Sequence, residues 1–393
     1  MSMRGLSLLC AVATGCGPER PALPTAVAAR AVLDHAVASG EVAGVVGLVA
    51  EHGRVVFLEA AGNAAPGVAM RVDAIMRTAS IGKAVTAAAA MILVDDGKLR
   101  LDQPIAELIP EFARAKVRGP DGSLVELEQP ITVRDLLTHR AGFVTDGAEL
   151  DEAWQANTAR AFSERLAQVP LLFQPGHGFA YGPAYEVLGA VIEAVSGQDL
   201  DHFMRARIFG PLRMRDTYFH VPPEKLDRLP AEYERTRDGK LAMYRRRGEE
   251  EAPTEFYAGG GGLRSTVSDF HRFAEMLLHD GELDGVRVLQ PASVGAMMTD
   301  QVGVVTENGV WTWQGDWGWG YGGEVRRAVA DPKRMGAVGA YTWNGGTGSR
   351  FLIDPAIGRI TIVFTQVRPP PRWLTVREDF ERAVYRPATD RSR

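Results

Sequence analysis

Strand-like runs stand at both ends of this chain, and helix-like runs fill the long stretch between them. Near the N-terminal end, residues 42–50 and 55–61 are β-branched or small. They are joined by Glu51-His52-Gly53-Arg54, which is a hairpin signal. Strand character returns at 317–325, 339–343, 350–353 and 359–365, and a final helix is expected over 373–385. Two sets of strands so far apart predict one antiparallel sheet built from both ends, flanked by helices, with a mainly helical domain inserted. We therefore expect an α/β (α+β) fold. Residues 25–99 and 256–393 would make the sheet domain, residues 100–255 the inserted helical domain, and residues 1–24 a leader and linker.

The stretch after Lys83 constrains the interior. Val85, Ala89, Ile92 and Leu93 recur every three or four residues, and Gly97 follows as a C-cap. This predicted helix is alanine-rich and apolar nearly all round, so it belongs in the centre of the molecule. Residues 25–39 carry helical spacing too, whereas 235–251 is almost wholly polar and reads as an exposed loop.

A chain of 393 residues has ample material for a core. Its net charge of −5 is spread along the chain, with no basic stripe of the kind a nucleic-acid binder needs. The N-terminus reads differently. Arg4 precedes a short apolar run, and Ala13-Thr14-Gly15-Cys16 resembles a bacterial lipoprotein cleavage box, with Cys16 as the lipidated residue. We expect export to the cell envelope, with the membrane touched only through that lipid. Both cysteines, Cys10 and Cys16, fall in the leader, so the folded body has no thiol nucleophile.

Chemistry points to Ser80-Ile81-Gly82-Lys83. Lysine occurs only at positions 83, 98, 116, 225, 240 and 333, and this is the one serine–lysine pair at that spacing. At the head of a buried helix the two side chains stand one turn apart on the same face, with the positive end of the helix dipole at the serine oxygen. A neutral lysine so placed can take the serine proton. On its own the pair is equally a serine cap beside a surface lysine. A second element, Phe179-Ala180-Tyr181-Gly182-Pro183, precedes an amphipathic helix; alone, its tyrosine reads as a packed aromatic. The third, Tyr341-Thr342-Trp343-Asn344-Gly345-Gly346-Thr347-Gly348, lies between two strands, where glycines let a backbone N–H approach a substrate as an oxyanion hole requires.

Taken together and in this order, several segments resemble the β-lactamase-related serine hydrolases, a fold shared with the penicillin-binding proteins. They are residues 76–110, 131–142 (ITVRDLLTHRAG), 173–197, 210–222, 259–289 and 341–366. The resemblance implies Ser80 as nucleophile, Lys83 as its general base and Tyr181 as the relay of protons to and from the leaving group. It further implies an oxyanion hole from the backbone N–H groups of Ser80 and Gly346, substrate contacts from Pro183, Trp343, Asn344 and Gly345, and no metal or cofactor.

The chain departs from the class C β-lactamases at two places. Pro183 stands where they carry asparagine after the tyrosine, and Trp343 where their third motif begins with lysine. Those polar residues hold the carboxylate and amide of a β-lactam or D-peptide. A tryptophan there resembles the family VIII carboxylesterases and related acyltransferases, and an apolar wall suits a small neutral ester. The expected activity is hydrolysis of carboxylic esters, with acyl transfer as an extension. The rival readings are a β-lactamase or D-amino-acid peptidase and, from another class, a non-catalytic envelope binding protein. Other features read as structural. Gly259 to Gly262 lacks the Gly-Lys-Ser/Thr of a phosphate loop, the histidines lack metal-ligand spacing, and His139 reads as a turn residue. Trp311, Trp313, Trp317 and Trp319 could line the cleft, although core packing is the simpler role for each. No G-x-S-x-G elbow surrounds Ser80, against an α/β-hydrolase.

Overall fold

The computed structural model describes residues 24–250, 254–303, 315–330, 334–368 and 375–385. Cys16 and its cleavage box, with Trp311 and Trp313, lie outside them. Three N-terminal strands, β1 (Gly44–Glu51), β2 (Arg54–Ala65) and β3 (Val68–Ala69), join five from the other end of the chain. These are β4 (Trp317–Trp319), β5 (Glu324–Arg326), β6 (Tyr341–Asn344), β7 (Arg350–Asp354) and β8 (Arg359–Thr365). The order across the sheet is β4-β5-β6-β7-β8-β1-β2-β3. The seam between the two sets is β1 against β8, antiparallel, with Val45 opposite Thr365 and Leu48 opposite Ile362.

Both faces of that seam are covered, so β1 is buried at every position up to its last residue, Glu51, rather than at alternate ones. Val45 and Val49 point to a layer made by α1 (Pro24–Ala38) and by a helix near the other end of the chain, Val376–Tyr385, where Leu33 and Phe380 pack. Val46 and Leu48 point to the larger core, which holds Phe270 of the helix Val267–Leu278. His52 and Gly53, both at positive φ, make the two-residue β1–β2 turn, which matches strand twist.

The alanine-rich helix, α2 (Lys83–Asp95), is buried at every residue from Lys83 to Leu93. Its small side chains let it lie close against α3 (Ala184–Ser196), whose C-terminus is closed by Gly197 at positive φ. Elsewhere between residues 100 and 250 the helices are shorter. We name α4 the helix Val267–Leu278 and α5 the helix Val376–Tyr385. No described helix is long and apolar enough to cross a membrane.

Two expectations need correction. The run 317–325 is not one strand: Gly320, Gly322 and Gly323 fold it into the β4–β5 hairpin, which pairs Trp319 with Glu324. Nor is 235–250 wholly an exposed loop. Leu241–Arg245 pairs antiparallel with Glu232–Arg235, which runs parallel to Val367–Arg368. Arg245 from this segment joins Arg77 and Arg368 around the carboxylate of Glu232, which is buried.

Candidate active site

Residues 76 and 77 pair antiparallel with residues 264 and 265, which brings the chain entering α2 beside the glycine run 259–262. Ala79 then adopts φ of 47°, a left-handed conformation costly for a residue with a Cβ. Ser80 follows in a short 3₁₀ turn, Ala79–Gly82, and the α-helix proper begins only at Lys83. The turn changes the geometry in a useful way. In a 3₁₀ helix residues i and i+3 eclipse, so Ser80 and Lys83 point the same way. Lys83 Nζ lies 3.4 Å from Ser80 Oγ and donates to the carbonyl of Gly260 at 2.7 Å. Lys83 is buried, while Ser80 is half-buried at the edge of solvent.

Tyr181 enters from the loop ahead of α3. Lys83 Nζ stands 4.9 Å from the centre of its ring. The indole N–H of Trp343, from β6, donates to the Tyr181 hydroxyl at 3.0 Å. Trp343 is buried against Trp319 and the Tyr181 ring, with ring centres 4.6 and 5.2 Å apart. Behind Tyr181 sits His139, at positive φ and fully buried among Phe179, Tyr181, Tyr185 and Trp319. Neither of its ring nitrogens has a hydrogen-bond partner among the described residues. Burial, reinforced by the Lys83 charge, holds the imidazole well below its usual pKa.

Ser80, Lys83, Tyr181 and Pro183 line one cleft of about 560 Å³. Leu150 and Trp154 add apolar wall, and Arg77 and Glu186 add charge. The Arg77 guanidinium is held by Glu232 at 2.6 Å. A different cavity, of about 320 Å³, lies between α1 and α5 and contains neither Ser80 nor Lys83.

The third predicted element is outside the cleft lining but packs beneath it. The turn after β6 runs so close to the chain ahead of Ser80 that a Cβ on Gly345 would lie 2.6 Å from the Thr78 carbonyl. Thr347 Oγ1 donates to the Arg77 carbonyl at 3.1 Å. Gly346 is exposed, and its N–H makes no backbone hydrogen bond among the described residues. Asn344 faces away: its Oδ1 accepts from Arg350 at 3.0 Å, and Arg350 forms a buried ion pair with Glu381 of α5. Trp317 and Trp319 are core residues. Sequence reasoning passed over Arg77 and Glu186, although Glu186 was visible as an acid amid the uniformly apolar start of α3. Among the described residues no three His, Cys, Asp or Glu side chains are grouped to hold a metal.

Comparison with known proteins finds relatives over most of the chain. Esterase EstB of Burkholderia gladioli is 32% identical over 372 residues, covering 85% of this chain and 88% of its own length. Penicillin-binding protein 4 of Amycolatopsis lactamdurans is 30% identical over 313 residues, 73% of this chain and 77% of the relative. The solved structure of EstCE1, described as a hydrolase with promiscuous acyltransferase activity, matches with a TM-score of 0.79 at 26% identity, over 92% of this chain and 98% of that one. The sheet closed from both chain ends and the buried helix headed by Ser80 and Lys83 are thus found in a chain whose residues 29–385 match the profile of the Beta-lactamase family, and the chain belongs to that family.

Proposed function

We propose that the protein is a serine hydrolase that cleaves small carboxylic esters through an acyl-enzyme on Ser80. The observation that carries this reading is the cleft in which Lys83 Nζ stands 3.4 Å from Ser80 Oγ, with the Tyr181 hydroxyl held by the Trp343 indole. In the proposed cycle neutral Lys83 takes the Ser80 proton as Oγ attacks the ester carbonyl carbon. The negative charge that forms on the carbonyl oxygen is met by the N–H groups of Ser80 and Gly346. The carbon–alkoxy bond then breaks, Tyr181 gives its hydroxyl proton to the departing alkoxide and is reprotonated by the proton Lys83 took from Ser80, and water reverses the sequence to release the acid. An alcohol in place of water gives acyl transfer.

The preference for esters rests on the missing polar contacts. Trp343 directs its single donor at Tyr181, and Pro183 has no side-chain donor, so neither grips a carboxylate or amide. EstB, named an esterase, and EstCE1 support the same reading. One observation favours a β-lactam or D-peptide instead: Arg77 is a cation in the cleft wall. Its ion pair with Glu232 counts against that role. The test compares kcat/KM for short-chain p-nitrophenyl esters and a chromogenic cephalosporin on one preparation. Two absent charge-assisted hydrogen bonds predict at least about a hundredfold advantage for esters. Ser80→Ala should lower ester turnover by roughly a thousandfold or more. Comparable cephalosporin turnover would replace the ester reading with the lactamase one, and an active Ser80→Ala enzyme would end both.

A further inference from the structure

Glu186 is a buried acid in the cleft wall that the proposed cycle does not use. Burial pushes its carboxyl above the usual range, against the opposing pull of the Lys83 charge. Its hydrogen-bond partner is backbone: Glu186 Oε1 accepts from the Gly260 N–H at 3.1 Å. The peptide unit joining residues 259 and 260 is held at its other end too, since Thr86 Oγ1 donates to the Gly259 carbonyl at 2.6 Å. That plane is rigid and clamped from two helices, α2 and α3. The next carbonyl along, of Gly260, is the one that receives Lys83 Nζ at 2.7 Å.

Gly260 makes the clamp necessary. A Cβ there would lie 2.2 Å from Glu186 Oε1, so only glycine lets the carboxyl approach. The Gly260 carbonyl lies in the next plane, which the Gly261 N–H ties to the Ala258 carbonyl at 3.3 Å, so the clamp on the preceding plane leaves it hinged only at the Gly260 Cα. A lysine that directs one N–H at a fixed acceptor has its remaining direction, the lone pair of the neutral amine, set as well. We infer that Glu186 is a positioning residue for Lys83, which acts through Gly260 to aim the amine at Ser80 Oγ.

The inference rests on the acyl-enzyme reading above, and its test is built so that the two can fail separately. Wild-type protein is first treated with a fluorophosphonate and the adduct mapped. Label absent from Ser80 overturns the mechanism itself. With Ser80 labelled, kcat and KM for p-nitrophenyl acetate are measured per titrated active site, together with the phosphonylation rate. Glu186→Ala should lower kcat and phosphonylation by roughly thirtyfold with KM within about twofold of wild type. Glu186→Gln keeps an oxygen acceptor for the Gly260 N–H and should recover to within about fivefold. Should the alanine variant not fold, Thr86→Val releases the other end of the same plane, and a fall in kcat without a change in KM is again expected. Wild-type rates in Glu186→Ala, or in Thr86→Val where that variant stands in for it, overturn the inference. So does an equal loss in the alanine and glutamine variants with a raised KM, which would make Glu186 a substrate contact.

Discussion

At the scale of single residues, the replacement of a lysine by Trp343 changes more than the charge of the site. The indole N–H lies 3.0 Å from the Tyr181 hydroxyl, so this tryptophan supplies a neutral donor to the group proposed to move protons at the leaving oxygen. Trp343→Phe keeps most of the ring packing against Trp319 and removes only that donor. Loss of one neutral hydrogen bond predicts a fall in kcat of roughly threefold to tenfold, with KM for esters little changed. Steady-state kinetics on p-nitrophenyl acetate checks this, and a rise in KM alone would mean that Trp343 meets substrate directly. The pair Ser80 and Lys83 was legible from the sequence because its spacing and the apolar helix behind it are local facts. The contact between Trp343 and Tyr181 was not, because a strand residue and a loop residue 162 positions apart must be brought together before the indole can reach the phenol.

Among the elements, α5 does more than cover the sheet. Glu381 on α5 and Arg350 on β7 form an ion pair with both side chains only 4% exposed, and Arg350 reaches on to Asn344 at the end of β6. The helix therefore braces the strand end from which the Gly345–Gly346 turn departs. Glu381→Gln leaves a buried guanidinium without its counter-charge, and should lower unfolding free energy by about 3–5 kcal/mol in a urea titration. A change under about 1 kcal/mol would show that Asn344 and solvent suffice for Arg350. Hairpins and helices with strong local signals were legible, as with the turn at His52-Gly53 and the run from Val85 to Leu93. The short strand Leu241–Arg245 was hidden for a physical reason. It is flanked by charged residues, only its Arg245 reaches the buried carboxylate of Glu232, and part of its sheet comes from residues 367 and 368. The glycine run 259–262 was likewise excluded as a phosphate loop. Its contacts with Thr86, Lys83 and Glu186 draw on two helices that no local pattern links to it.

For the molecule as a whole, pH should act on stability through Glu193. Burial pushes this carboxyl on α3 up to about 7, from an ordinary 4.5. Between those values the folded state holds a proton that the unfolded chain releases, so the contribution of Glu193 to stability is full below about 4.5 and declines as pH rises towards 7. Glu193→Gln removes that decline. The variant should match wild type near pH 4 and exceed it at pH 8 by on the order of 1 kcal/mol, after allowance for the exposed part of the side chain. Denaturant melts at the two pH values test the sign, and equal stability at pH 8 would refute it. The seam between β1 and β8 has a consequence for how the protein is made. A ribosome releases β1 some three hundred residues before its neighbour, so the early hairpin has an open edge throughout synthesis. Ser80 and Lys83 emerge in that same early stretch, whereas the Trp343 turn and the closing strand come near the end. The nascent chain therefore carries an unpaired strand edge, which is prone to association, until β8 docks. Chaperone dependence during translation, more than the strength of the finished core, would set how much active protein a cell obtains.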